Sequence, residues 1–202
     1  MEYLVARIDT PLLDTLHITF FHQLIFDTQQ LAQFFARTPN IQPPVDARII
    51  LSDRYVEVTS PQSFPSKFVL GVSCGQSDWQ LSSLTQVCSS SFPEAFIPSV
   101  GHLYIYEVRH GERRWQDDIE AIQWLEVLLP FNAVKHFYLS RDLASHVAPA
   151  LQELTEEVLP FLQSLFLEDI HPPKRVREAI EKLVAARQLA GHPIVVSHWA
   201  GN

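Results

Sequence analysis

The sequence predicts an α/β fold. Strand-plus-helix units stack in an irregular solenoid, interrupted by a β-hairpin-like insertion near residues 47–73. Three observations carry this prediction. Short runs that read as strands take turns with apolar stripes of helical period. Strand centres fall at Leu16, Ile50, Leu70, Leu103, Phe137, Leu165 and Val195, and from Leu70 onward the gaps are 33, 34, 28 and 30 residues. A near-fixed gap of this size fits one strand and its return helix, because parallel strands need a crossover. Finally, one figure recurs: a proline, then apolar residues whose last two alternate about a single position. It reads P-L-L-D-T-L-H-I (11–18), P-S-V-G-H-L-Y-I (98–105), P-F-N-A-V-K-H-F-Y-L (130–139) and P-F-L-Q-S-L-F-L-E (160–168).

Each element has a local justification. Leu13, Leu16 and Ile18 lead into a first strand. Asp27, with Gln30 three residues on, is a capping-box-like start for a helix whose face is Leu31, Phe34 and Phe35. The prolines of T-P-N-I-Q-P-P (38–44) remove backbone donors and end it. R-I-I-L-S and Y-V-E-V-T read as two strands around a turn at Ser52 and Asp53. F-V-L-G-V-S (68–73) is a buried strand in which Gly71 signals a bulge or a close backbone approach.

Ser77 and Gln80 have N-cap spacing ahead of a helix with Leu81, Leu84 and Cys88 inside. After the strand at Leu103, Ile119, Ile122, Leu125 and Leu129 are expected on the inner face of the next helix. Leu143, Val147, Leu151, Leu154 and Val158 form another stripe, with a kink or helix start expected near Ala148 because of Pro149. The last helix carries Val176, Ile180, Leu183 and Val184 inside and a Glu178–Lys182 pair outside. Gly191 stops it, and P-I-V-V-S is a final strand.

The recurring figure fits an L-x-x-L-x-L frame at Leu13/Leu16/Ile18, Val100/Leu103/Ile105, Val134/Phe137/Leu139 and Leu162/Leu165/Leu167. That frame is the core of leucine-rich repeats. The asparagine that normally follows is missing from all four, so the repeats are irregular. In such a strand the leucines point into the core and the residues between them point to the concave face. One row is then His17, Tyr104, Tyr138 and Phe166, flanked by Thr15, His102, His136 and Ser164 on one side and Thr19, Tyr106, Ser140 and Glu168 on the other. Aromatic side chains give large contact area, so His17, His102, Tyr104, Tyr106, His136, Tyr138, Ser164, Phe166 and Glu168 form the expected protein-binding surface.

Composition excludes several classes. With 202 residues, 47% apolar and 19% charged, the chain can bury a core and is not a disordered segment. A net charge of −8 argues against a nucleic-acid backbone binder. Asp117, Asp118, Glu120, Glu153, Glu156 and Glu157 read as solvated helix charges. No apolar run approaches the roughly 20 residues of a membrane helix. The opening residues M-E-Y-L-V-A-R-I-D lack the basic region and long apolar run of a signal peptide. Cys74 and Cys88 read as buried free thiols, and the expected compartment is reducing, cytoplasmic or nuclear.

Nothing points to a cofactor, a metal or catalysis. There is no G-x-S-x-G, phosphate loop, dinucleotide fingerprint or H-E-x-x-H. G-V-S-C-G (71–75) has the wrong order for a nucleophile elbow. Asp117 and Asp118 would diverge on a helix by about 100°. The histidines have no carboxylate or cysteine at ligand spacing, although His102 and His136 would give binding a weak pH response if they adjoin. Trp79, Trp124 and Trp199 read as structural, and Trp115, beside Arg113 and Arg114, as exposed.

Several of these segments together carry a family resemblance. P-L-L-D-T-L-H-I-T-F-F, S-D-W-Q-L-S-S-L-T-Q-V-C-S-S-S-F-P, H-L-Y-I, R-W-Q-D-D-I-E and A-L-Q-E-L resemble the C-terminal repeat region of fungal, mushroom-type F-box proteins, over nearly the whole chain. The resemblance implies one leucine-rich-repeat-like domain over 1–202, expected to be part of a longer protein, that recognises a target for a cullin ubiquitin ligase. A Skp-type adaptor would be a partner only through an F-box outside this chain, because none is evident within it. E-V-L-P-F-L-Q-S-L-F (157–166) echoes the F-box pattern but falls on the repeat phase, so it reads as a repeat. Two other readings stay open. One is a small α/β enzyme with an open parallel sheet, its site beyond the carboxyl ends of the strands. The other is a truncated gene product, whose open strand edge would make it self-associate. Strictly sequential strand order favours the solenoid, and a reversal favours the enzyme.

Overall fold

The computed structural model describes residues 13, 15–21, 29–38, 41, 43–52, 54–60, 67–74, 77–90, 92, 96–108, 120–153, 158–169 and 171–200. Among these, the chain runs β1 (Thr15–Phe21), α1 (Gln29–Ala36), β2 (Asp46–Leu51), β3 (Tyr55–Thr59), β4 (Lys67–Ser73), α2 (Ser77–Ser90), β5 (His102–Glu107), α3 (Ala121–Leu128), β6 (His136–Leu139), α4 (Arg141–Gln152), β7 (Ser164–Leu167), α5 (Lys174–Leu189) and β8 (Val195–His198). One turn of 3-10 helix, Ile97–Ser99, precedes β5. All eight strands lie in one sheet in the order β1-β4-β3-β2-β5-β6-β7-β8.

Strand order is the expected discriminator between solenoid and open-sheet enzyme, and it takes both values here. β2, β5, β6, β7 and β8 are parallel neighbours in chain order. On the other side of β2 the order reverses. β2, β3 and β4 form an antiparallel meander, and β1 joins the outer edge by pairing parallel with β4. The expected insertion is therefore three strands rather than a hairpin, and it separates β1 from the other parallel strands.

The parallel strands are approached in one way. Ile97, Val100, Leu103 and Ile105 are buried before and along β5, as are Phe131, Val134, Phe137 and Leu139 at β6, and Leu159, Leu162, Leu165 and Leu167 at β7. The turn before each is closed by a short-range bond, Val100 N–H to Ile97 O at 3.0 Å, Val134 N–H to Phe131 O at 3.4 Å and Leu162 N–H to Leu159 O at 3.1 Å. Register then aligns the buried residues into columns, Ala47–Leu103–Phe137–Leu165, which the partly buried Val196 extends, and Ile49–Ile105–Leu139–Leu167. Helices α2, α3, α4 and α5 pack in succession, and the core lies between them and this face. In the meander half the core is phenyl-rich. Phe35, Phe68, Phe92 and Phe96 meet with ring centroids 5.0–5.4 Å apart.

Several local expectations are corrected. Ile122 and Leu129 are exposed, and the buried face of α3 is Trp124, Val127 and Leu128. Ile122 and Trp124 stand about 200° apart on a helix, so only one can face the sheet, and the larger ring takes the place. Ile119 lies outside the described residues. Pro149 neither starts nor ends α4, because Leu143, Val147 and Leu151 anchor the helix on both sides of it. Ser77 is already helical, and Gln80 turns inward to donate to Ser52 O at 3.2 Å and Cys74 O at 2.6 Å.

Asp27, Leu154 and Trp115 lie outside the described residues, and Trp79 is more exposed than a structural tryptophan. Register runs unbroken through Gly71, so there is no bulge, and a β-carbon there would meet Thr19 only at ordinary contact distance. Glu178 pairs with Lys174 instead of Lys182, whose ammonium reaches Gln152 Oε1 at 3.2 Å. Gly191, at φ 81°, ends α5 in a Schellman arrangement, with His192 N–H bonded to Arg187 O and Gly191 N–H to Gln188 O.

Candidate functional site

Because side chains alternate along a strand, the sheet face away from the helices carries the residues between the buried ones. Across β2, β5, β6, β7 and β8 one row is Arg48, Tyr104, Tyr138, Phe166 and Ser197. The row before it is Asp46, His102, His136, Ser164 and Val195.

The three central rings of the first row form a stack. Tyr104 and Tyr138 lie 4.2 Å apart at 11°, and Tyr138 and Phe166 lie 4.4 Å apart at 6°. Strand spacing of about 4.8 Å sets this geometry when equal residues are in register. Both faces of the Tyr138 ring are therefore occupied. Trp199, just after β8, stands across the stack at 67° to Tyr104 and 78° to Tyr138. Its own N–H bonds Leu167 O, and its indole N–H reaches Leu139 O at 3.4 Å. At the other end the Arg48 guanidinium sits over the Tyr104 ring, 5.7 Å from its centroid.

Burial raises the Tyr104 phenol to about 12, helped by the neighbouring Tyr138 phenol and its hydrogen bond. Burial also raises Tyr106, against the lowering effect of Arg48. In the second row the His102 and His136 rings are 4.6 Å apart, and His102 Nδ1 is 3.8 Å from Asp46 Oδ1. His136 is held below the usual imidazole range, first by burial and then by His102 and Lys135.

The structure brings together His102, Tyr104, His136, Tyr138, Ser164 and Phe166. It does not bring His17 to them, because β4, β3 and β2 lie between β1 and β5. Tyr106 shares β5 but has Ile50 as its register partner on β2 and no partner on β6, which ends at Leu139. Ser140, from the same expected row, is buried beyond that strand end. Glu168 has a structural task. Its carboxylate accepts the Arg141 N–H at 2.9 Å and so caps α4, whose N-cap Ser140 supplies no side-chain bond.

Sequence reasoning misses Asp46, Arg48 and Trp199. For Asp46 and Arg48, only the long-range pairing of β2 with β5 reveals their place. Trp199 is legible, because continuing the alternation of V-V-S-H-W from Val196 puts Ser197 and Trp199 on the open side.

Other chemistry is sparse. Among the described residues, no three His, Cys, Asp or Glu side chains are grouped as a metal ion would need. Cys74 and Cys88 are buried and not joined in a disulfide, and burial pushes the Cys88 thiol up to about 12. No described helix is long and apolar enough to cross a membrane.

No protein-family model, no curated protein and no solved structure matches this chain.

Proposed function

We propose that the chain is a non-catalytic protein-recognition module that binds its partner on the open sheet face. The observation that carries this reading is the half-buried aromatic stack Tyr104–Tyr138–Phe166, with Trp199 standing across it and Arg48 at its Tyr104 end. Rings held in register by a sheet are rigid, so a partner docking on them loses little side-chain freedom. Aromatic clusters of this kind are where interface energy concentrates.

The geometry also separates ligand classes. Single-stranded nucleic acids and sugars use aromatic faces, and both faces of Tyr138 are already taken by its neighbours. A net charge of −8 further opposes a polyanion. An extended protein surface that meets ring edges and phenol hydroxyls suits what remains.

The finer part of the proposal is the place of this module in a larger machine. The repeat-like approach of β5, β6 and β7 and the resemblance to fungal F-box proteins favour an irregular leucine-rich-repeat-like solenoid. Its role would be substrate recognition for a cullin ubiquitin ligase. The stretch that echoes an F-box belongs, from Val158 on, to a turn and the strand β7. A Skp-type adaptor would thus engage the protein only through a segment outside this chain. The enzyme reading has less to stand on, because the described helices line one face of the sheet and form no crevice with helices on the other.

The test is an affinity pull-down with the wild-type chain and with a triple variant, Tyr104→Ala, Tyr138→Ala and Phe166→Ala, checked for native circular dichroism. The expected result is a specific protein retained by the wild type and reduced at least tenfold by the variant. An identical set of proteins on both baits would sink the proposal.

A further inference from the structure

The second row of the open face holds an arrangement that the aromatic stack does not explain. His102 and His136 are register partners on adjacent parallel strands, with ring centroids 4.6 Å apart and planes at 55°. The described groups around them are few. From β2, Asp46 lies against His102 at 3.8 Å, with Arg48 one row further on. From β5 and β6 come the Tyr104 and Tyr138 phenols, and Lys135 directly precedes His136. From β7 come Ser164 and the Phe166 ring, the latter 6.2 Å from His136. From β8 comes Val195, which is uncharged.

Among the described residues one carboxylate therefore serves two imidazoles, and its register position puts it beyond His102, away from His136. His136 Nδ1 is buried with no hydrogen-bond partner. A first proton on the pair has Asp46 to balance it. A second would sit beside the first and beside Lys135 with no described carboxylate opposite.

We propose that the His102–His136 pair is the subsite that takes an acidic side chain of the protein partner, and that binding there is coupled to uptake of a proton. The proposal rests on the reading of this face as a protein-binding surface. A carboxylate placed over the pair supplies the charge that the free protein lacks, so the bound pair holds the second proton at a higher pH than the free pair does. By linkage the affinity rises as pH falls from 8 to 6, with a slope of at most about tenfold per pH unit for one proton taken up. The aromatic stack beside the pair supplies apolar contact for the residues flanking that acid.

Two measurements test this. In the free protein, the Cε1–H signal of His136 should titrate below the usual imidazole range, and His102→Asn should move its midpoint upward. A His136 midpoint that His102→Asn leaves unmoved would overturn the coupling. The second measurement uses two probes, the blocked tripeptides acetyl-Phe-Glu-Phe-amide and acetyl-Phe-Gln-Phe-amide, titrated at pH 6 and pH 8 against the whole chain.

The expected result is at least threefold tighter binding of the Glu peptide at pH 6 than at pH 8, with no such change for the Gln peptide. His136→Asn should remove the difference while the Tyr138 and Phe166 signals still respond. Equal response to both peptides at the stack overturns the acidic subsite and leaves the binding-face reading intact. No response of either histidine at either pH also overturns the subsite, and the pull-down above then decides the face separately.

Discussion

From β5 to β8 each strand lies parallel beside the one before it, whereas from β1 to β4 the chain reverses direction twice and β1 rejoins at the far edge. The two regions are also filled differently. The first is built on columns, aliphatic except for Phe137, that register carries from strand to strand. The second has aliphatic columns too, such as Ile49–Val58–Leu70, and adds a cluster of phenyl rings drawn mostly from outside the strands. The consequence for function is on the other face. Among the described residues, only the neighbouring strands β5, β6 and β7 set three aromatic residues side by side on the open face, and there the aromatic stack forms. His17 has the right position within its strand and fails to join because β1 lies in the wrong region.

The largest expected effect breaks the regular half. Phe137→Ala empties a fully buried position in the central column and should cost about 3–5 kcal/mol. Leu16→Ala, on the half-buried edge strand β1, should cost only about 1 kcal/mol, in proportion to the smaller area it removes from the core. Urea unfolding midpoints of the two variants measure the contrast. Equal losses would show that β1 is as integral to the domain as β6 and that the two halves do not differ in stability.

The same division explains what can be read from the chain. In the regular half, strand positions, buried columns and the Tyr138–Phe166 neighbours follow from local spacing, because each unit packs on the next. Helix phase is less legible. In α3 the competition between Ile122 and Trp124 for the core is decided by size, not by period. The meander half resists because its pairings are long-range. Nothing local in A-R-I-I-L announces that Arg48 will sit beside Tyr104, or that β4 will turn back to meet β1. Glu168 escapes local reading for a related reason. Its role depends on the N-terminus of α4, 27 residues earlier in the chain.

A smaller effect is expected where the regular half is locked from outside the sheet. Arg187 on α5 is buried, and its guanidinium donates to Val158 O at 2.8 Å and Leu159 O at 3.2 Å. These carbonyls belong to the turn before β7, where Leu159 is held at φ 49°, a conformation that leucine rarely adopts. Arg187→Met keeps the packing of the stem and removes the charged donor from both carbonyls, of which Leu159 O still accepts the Leu162 N–H, so the expected loss is about 2 kcal/mol. Thermal unfolding measures it, and amide exchange should show the opening concentrated at β7 and β8. A uniform loss of protection would show instead that the clamp serves the whole domain.

The smallest effect sharpens the other side. Gly71 sits in the middle of β4, between β1 and β3, with no positive φ and no bulge. A β-carbon there would lie 3.5 Å from Thr19 Oγ1 and 3.7 Å from its Cγ2, both ordinary contacts. Glycine inside a strand gives up more conformational entropy on folding than alanine does, with no contact in return. Gly71→Ala should therefore stabilise the protein by about 0.5 kcal/mol, a rise in melting temperature of about 1–2 °C. The sign matters more than the size. A gain means that β1 pairs with β4 at a spacing with room for a methyl group. A loss means that Thr19 cannot yield and that the β1–β4 seam, unlike the columns of the regular half, is packed to its limit at this glycine.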